Sequence, residues 1–172
     1  GLGFSTRPAA GNLLSVQARL MQKAAARLGM ARAKLVGHSF GGAVALAWAL
    51  DMPETTSGAV ILGAPSQEWK GSGIGLLTEI AGTPVVGQVL SQLAPAFSNA
   101  DFLQAAVTRV FRPQSPPPGY AENAAVVLAS KPSVVRANAA DLTGLKDQIR
   151  EMVKLYPGLT VPIEVLHGTE YK

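Results

Sequence analysis

Apolar positions along the chain fall into spaced patterns and unbroken runs, and the two kinds alternate. Leu13, Val16, Leu20, Ala24 and Leu28 recur at three- and four-residue steps. That spacing predicts a helix, with Asn12 at its N-cap and Gly29 ending it in a left-handed conformation. "AKLVGH" (33–38) is mostly apolar without a helical period and predicts a short buried strand. "FGGAVALAWALDMP" (40–53) is apolar almost all round, which predicts a buried helix stopped by Pro53. "SGAVILGAP" (57–65) predicts a second buried strand, closed by Gly63 and Pro65. Helix, strand, helix, strand in this order argues for an α/β protein, a mostly parallel sheet covered by helices.

The pattern changes near Gln67. From 68 to 140 helical patches are broken by Gly and Pro, and no clear strand appears. "FRPQSPPPGY" (111–120) is the stiffest break, its prolines favouring an extended path. The sheet pattern then returns. Leu142, Leu145, Ile149 and Met152 share one helix face with Asp141 as N-cap, "YPG" (156–158) is a turn, and "TVPIEVLHG" (160–168) is a strand with Val161, Ile163 and Val165 on one face. The expected organisation is therefore a core segment (1–65), an inserted helical subdomain (66–140) and a return to the core (141–172).

Composition narrows the class. Hydrophobic residues make up 48% of the 172 and charged residues 15%, enough for a folded core. With aromatics at only 6%, that core must rest on Ala, Val, Leu and Ile. The formal charge of +4 is spread along the chain, and no block of Lys and Arg is interleaved with aromatics, so a nucleic-acid surface is not expected. The chain has no cysteine, which removes disulfides, thiol nucleophiles and thiolate metal sites and fits a reducing compartment; a cytoplasmic location is the default expectation. No stretch reaches the roughly 18 continuous apolar residues of a membrane span. "GLGFSTRPAAGN" has neither the basic nor the apolar part of a signal peptide. It begins inside turn-like sequence without Met, and "HGTEYK" stops just after a strand, so the expectation is an internal piece of a longer protein.

One stretch carries chemistry. "GHSFGG" sets Ser39 between Gly37 and Gly41, after a predicted strand and before a predicted helix. A strand that turns at once into a helix holds the apex residue in a strained conformation and exposes its side chain. Gly37 and Gly41 are expected to remove β-carbons that would meet the crossing backbone, with Gly42 and Ala43 keeping the contact close. The Phe40 N–H, at the helix start, would face a developing oxyanion. The bland alternative is a small residue in a glycine-rich bend.

On these residues the chain resembles the alpha/beta-hydrolase fold family, in particular its capped serine hydrolases. "GLGFS" is similar to the family's loop after its fourth strand, and "VPIEVLHGT" to its seventh strand. The strand before Ser39 corresponds to the fifth, "GAVILGAP" to the sixth, and 66–140 to the cap insertion. The resemblance implies that the first three strands would precede Gly1 and that the eighth strand and catalytic histidine would follow Lys172. It also implies a Ser39 nucleophile, half of an oxyanion hole at Phe40 N–H, and an elbow packed through Gly37, His38, Gly41 and Gly42. His38 is expected to pack beneath the turn, and His167 matches a family position that is not the base.

The triad acid departs from the family's pattern. Asp is usual three residues after the glycine matching Gly168, and Tyr171 stands there. Glu170, one residue short, is the candidate acid, its alternative being an exposed loop glutamate. Glu68, past the second strand, is a weaker candidate, and Asp51 and Asp101 read as surface charges. No His/Asp/Glu spacing suits a metal and no glycine-rich phosphate loop follows a strand, so no cofactor is expected. The apolar 73–97 stretch hints at an acyl or aromatic small-molecule substrate. The expected function is serine hydrolysis of an ester or similar acyl bond through an acyl-enzyme. Carbon–carbon hydrolysis and acyl transfer use the same constellation. A serine at the elbow argues against epoxide and haloalkane chemistry, which the family runs with a carboxylate nucleophile. The rival reading is a non-catalytic ligand-binding protein on the same fold. A chain without its base is expected to be inactive in isolation.

Overall fold

The structure is a computed structural model and describes residues 3–8, 10–70, 83, 91–92 and 99–168. The chain forms two compact units, one of 10–73 and 144–172, the other of 1–9 and 74–143. The first holds all three strands found among the described residues. The described elements of the second are all helical.

In the first unit, helix α1 (Leu14–Arg27) leads to strand β1 (Ala33–His38), helix α2 (Phe40–Asp51) and strand β2 (Thr56–Leu62). Helix α6 (Leu145–Val153) and strand β3 (Ile163–Leu166) complete it. The sheet is parallel in the order β1-β2-β3. Val36 pairs with Val60 and His38 with Leu62, while Ile61 pairs with Val165. The core is small-residue packing. Gly42, Ala43, Ala45, Leu46, Ala47, Trp48 and Ala49 of α2 are buried, and so are Ala59 and Ile61 of β2. So most of α2 is buried, as its apolar composition predicts, while Gly41 and Asp51 are exposed. Trp48 donates its indole N–H to Thr55 Oγ1 at 2.9 Å.

Several expectations are corrected. β1 is half-buried, with Leu35 and Gly37 inward and Lys34, Val36 and His38 exposed. Val36 is 70% exposed, on the face of β1 opposite the buried Leu35 and Gly37. Among the described residues β3 pairs with β2 alone, and its Val165 and Leu166 are about half exposed. In α1 the buried residues are Leu14 and Ala18, and the predicted face of Leu13, Leu20 and Leu28 is exposed. Asn12 does not cap α1. Gln148 of α6 does so, accepting from Leu14 N–H at 2.7 Å while donating to the Asn12 carbonyl at 3.0 Å. Gly29, at φ 81°, ends the helix as expected. The predicted helix at 141–152 is two helices, with Asp141 inside the earlier one and not at an N-cap, while Leu145, Ile149 and Met152 line the buried side of α6.

In the second unit, α3 (Ala100–Phe111) is capped by Asn99, whose side chain accepts from Phe102 N–H at 2.8 Å. The proline-rich loop that follows is closed by Phe111 and Tyr120, stacked edge to face with centroids 4.7 Å apart. The short α4 (Tyr120–Asn123) leads by a 3-10 turn to α5 (Pro132–Thr143). Asp141 of α5 is 7% exposed at its side chain and pairs with Arg7. The division at 9 and 10 groups Gly1–Ala9 with the helical residues and apart from the strand of the elbow, unlike the expected 1–65 segment.

Candidate active site

Ser39 occupies the single residue between β1 and α2. Its backbone sits at φ 52°, ψ −125°, a region a non-glycine residue enters at a cost of about 1–3 kcal/mol. Two hydrogen bonds hold it there. Ser39 N–H donates to Leu62 O at 3.0 Å, which ties the apex to the end of β2. Gly42 N–H donates back to Ser39 O at 2.9 Å, which starts the helix. Gly63 N–H donates to Leu166 O at 2.8 Å, so all three strands end together at this edge.

The glycines around Ser39 have unequal roles. A β-carbon on Gly37 would overlap the carbonyl oxygen of Gly41 and lie 2.6 Å from Gly42 Cα. One on Gly42 would overlap Ala64 Cβ and lie 3.1 Å from the Gly37 carbonyl. A β-carbon on Gly41 would meet nothing within 4 Å, so that glycine does not serve the close approach expected of it. The tight crossing is Gly37 against the 41–42 backbone, with Gly42 and Ala64 sealing it to β2. Sequence reasoning named Gly42 but not Ala64, which lies 22 positions away and could be found only through the strand pairing.

Ser39 is exposed, and its Oγ makes no hydrogen bond among the described residues. Phe40 N–H, in the first turn of α2, has no acceptor among them either. That turn contains no acidic side chain. Orphan N–H groups and the positive end of the helix dipole therefore lie beside the serine, where an anionic oxygen is favoured.

The partner residues are mostly elsewhere. His38 is exposed on the face of β1 opposite Leu35 and Gly37, and not packed beneath the turn as expected. His167 follows β3, exposed, with Nδ1 3.1 Å from Gly168 O. Glu68 is held by Arg150, whose Nε and Nη2 donate to Oε1 at 3.0 and 2.8 Å. Those hydrogen bonds hold its carboxyl below the usual range and raise the Arg150 guanidinium in turn. Arg150 also binds Asp147 at 2.8 Å. Asp51 and Asp101 are exposed helix residues, as expected. Glu170, Tyr171 and most of the apolar 73–97 stretch lie outside the described residues. Among the described residues no three His, Asp or Glu side chains converge as a metal site would require. None of the described helices is long and apolar enough to cross a membrane.

The chain matches the family model described as alpha/beta hydrolase fold over residues 1–168. It is similar to the solved structure of epoxide hydrolase CorEH without ligand, at 22% identity and a TM-score of 0.68. The likeness covers 98% of this chain and 62% of that one. It is also similar to N-acyl homoserine lactonase AidH complexed with N-butanoyl homoserine, at 18% identity, TM-score 0.62, and coverage of 98% and 57%. A third is MGS-M2, an alpha/beta hydrolase enzyme from a Medee basin deep-sea metagenome library, at 15% identity, TM-score 0.58, and coverage of 95% and 56%. No curated protein matches by sequence. The chain spans about three fifths of the length of these structures. By the extent of the family match, the chain belongs to the alpha/beta hydrolase fold family.

Proposed function

We propose that the protein carrying this chain is a serine hydrolase, with Ser39 as nucleophile, acting on an ester or similar acyl bond of a small apolar substrate. The observation that carries this reading is the Ser39 backbone at φ 52°, which presents a free hydroxyl beside the orphan Phe40 N–H. Ser39 Oγ attacks the acyl carbon while its proton passes to a histidine of the full-length protein. The carbonyl oxygen becomes an oxyanion, and Phe40 N–H donates to it. The C–O bond to the leaving group breaks, the leaving alcohol takes the proton, and water then frees the acyl group from Ser39. The lactone of an N-acyl homoserine lactone is a cyclic ester and falls within the same chemistry. Glu170 is the proposed orienting acid, and residues 66–140 the proposed cap. The test is a series of p-nitrophenyl esters of increasing acyl length offered to the full-length protein. Hydrolysis is expected, and Ser39→Ala is expected to lower kcat/KM at least about a thousandfold. Equal rates in the two proteins would reject the assignment.

A second reading has one observation behind it. Tyr171 stands where the resemblance expects the acid. A triad without its acid leaves an elbow without an activated serine, and the fold would then serve as a ligand-binding protein. Tight ligand binding that Ser39→Ala leaves intact, with no ester turnover, would favour it.

A further inference from the structure

We propose that the helical unit carries a binding site for a small carboxylate-bearing molecule, centred on Arg136. A cavity of about 430 Å3 is lined by Gly3, Ser5, Arg7, Ser133, Arg136 and Ala137, within the size range of small-molecule sites. Among the described residues the charges around it do not balance. Arg7 and Arg136 both line the cavity, and Asp141 is bound by Arg7 through both terminal nitrogens. The hydrogen bond found for Arg136 runs from Nη1 to the hydroxyl of Ser91 at 3.0 Å, and Ser91 is itself buried. Arg136 is half-buried, and among the described residues its Nε and Nη2 have no acceptor. A partly desolvated guanidinium with only a neutral partner is unfavourable, and an anion placed on it recovers that cost.

The geometry selects the kind of anion. Nε and Nη2 form a planar fork that matches the two oxygens of a carboxylate. Among the described residues no acidic group pairs with Arg136, which suits a singly charged anion. The Ser5 and Ser133 hydroxyls supply further donors, and Gly3 and Ala137 leave room for a small apolar body. The wall is fastened in advance. Arg7 ties the 3–7 loop to Asp141 of α5, and Lys131 Nζ sits 4.1 Å above the Phe4 ring. A loop already fixed loses little freedom when a ligand enters. This site rests on the helical unit alone and does not depend on the role of Ser39.

The test is a titration of the 15N-labelled full-length protein with sodium acetate, followed by NMR. Sodium chloride and sodium phosphate serve as matched arms at equal ionic strength. Acetate is expected to shift the Arg136 Nε–H and the Ser133 and Ala137 amides saturably. Arg136→Gln is expected to weaken that binding at least tenfold. Shifts that grow linearly and equally with acetate and chloride would overturn the proposal. So would phosphate saturating more tightly than acetate, or Arg136→Gln binding as well as the wild type. If Arg136→Gln does not fold, Arg136→Lys keeps the charge and removes the fork. Severalfold weaker acetate binding is then expected, and undiminished binding would overturn the proposal.

Discussion

A methyl group on Gly37 would have to displace the carbonyl of Gly41, whereas one on Gly41 would meet nothing within 4 Å. The two residues flank Ser39 alike in the sequence and differ in space because the strand packs inward at 37 while the helix faces out at 41. Gly37→Ala is therefore expected to lose about 1–3 kcal/mol, the range for overpacking against fixed backbone. Gly41→Ala, inside a helix at an exposed position without positive φ, is expected to be neutral or to gain up to about 1 kcal/mol. Urea unfolding of the two variants checks both. At this scale much was legible: "GHSFGG" located the strained serine and the helix start. The asymmetry of its glycines was not, since a symmetrical motif says nothing about which β-carbon has a neighbour. Nor was the exposure of His38, which depends on which face of β1 turns inward.

At the scale of elements, α1 shows what periodicity leaves open. Apolar residues on two overlapping faces of this Ala- and Leu-rich helix fit a helical repeat, and the repeat cannot say which face meets α2. The buried face is that of Leu14 and Ala18. The N-terminus of α1 is capped from 134 residues away, by the Gln148 amide, which satisfies Leu14 N–H and the Asn12 carbonyl together. No local signal at Asn12 could report that. Gln148→Ala is expected to cost about 1–2 kcal/mol, since it orphans two backbone groups at once. Asn12→Ala is expected to cost close to nothing, because the bond there uses the backbone. Denaturant unfolding, with amide hydrogen exchange in the first turn of α1, separates the two. The strand–helix–strand order was legible because strands and helices in this unit differ in run length and period. The split near Gly144 was missed because Leu142 and Leu145 keep the same spacing across the break.

For the molecule as a whole, the contacts that join distant segments also set its response to pH. Tyr156 donates its hydroxyl to Ser66 O at 2.7 Å, across 90 residues. Burial pushes its phenol above the usual value of 10.0. The folded state thus keeps a proton that the unfolded state gives up. The stability this lends is present below pH 10 and is lost as pH rises through the raised value. Tyr156→Phe is expected to cost about 1 kcal/mol at pH 8 and to flatten the alkaline fall, as read from unfolding free energies between pH 8 and 11. The Glu68–Arg150 pair acts at the other end. Glu68 is lowered, so its small, solvent-screened contribution is present at neutral pH and fades as acid protonates it. Neither pairing could be read from the sequence, since each joins segments 82 or more positions apart.

The measurement that bears most directly on the central claim is labelling of the full-length protein by a fluorophosphonate, with the modified residue located by mass spectrometry. An activated elbow serine predicts one adduct, on Ser39, absent from Ser39→Ala. A folded protein that takes no label, or that is labelled equally after Ser39→Ala, would contradict the account.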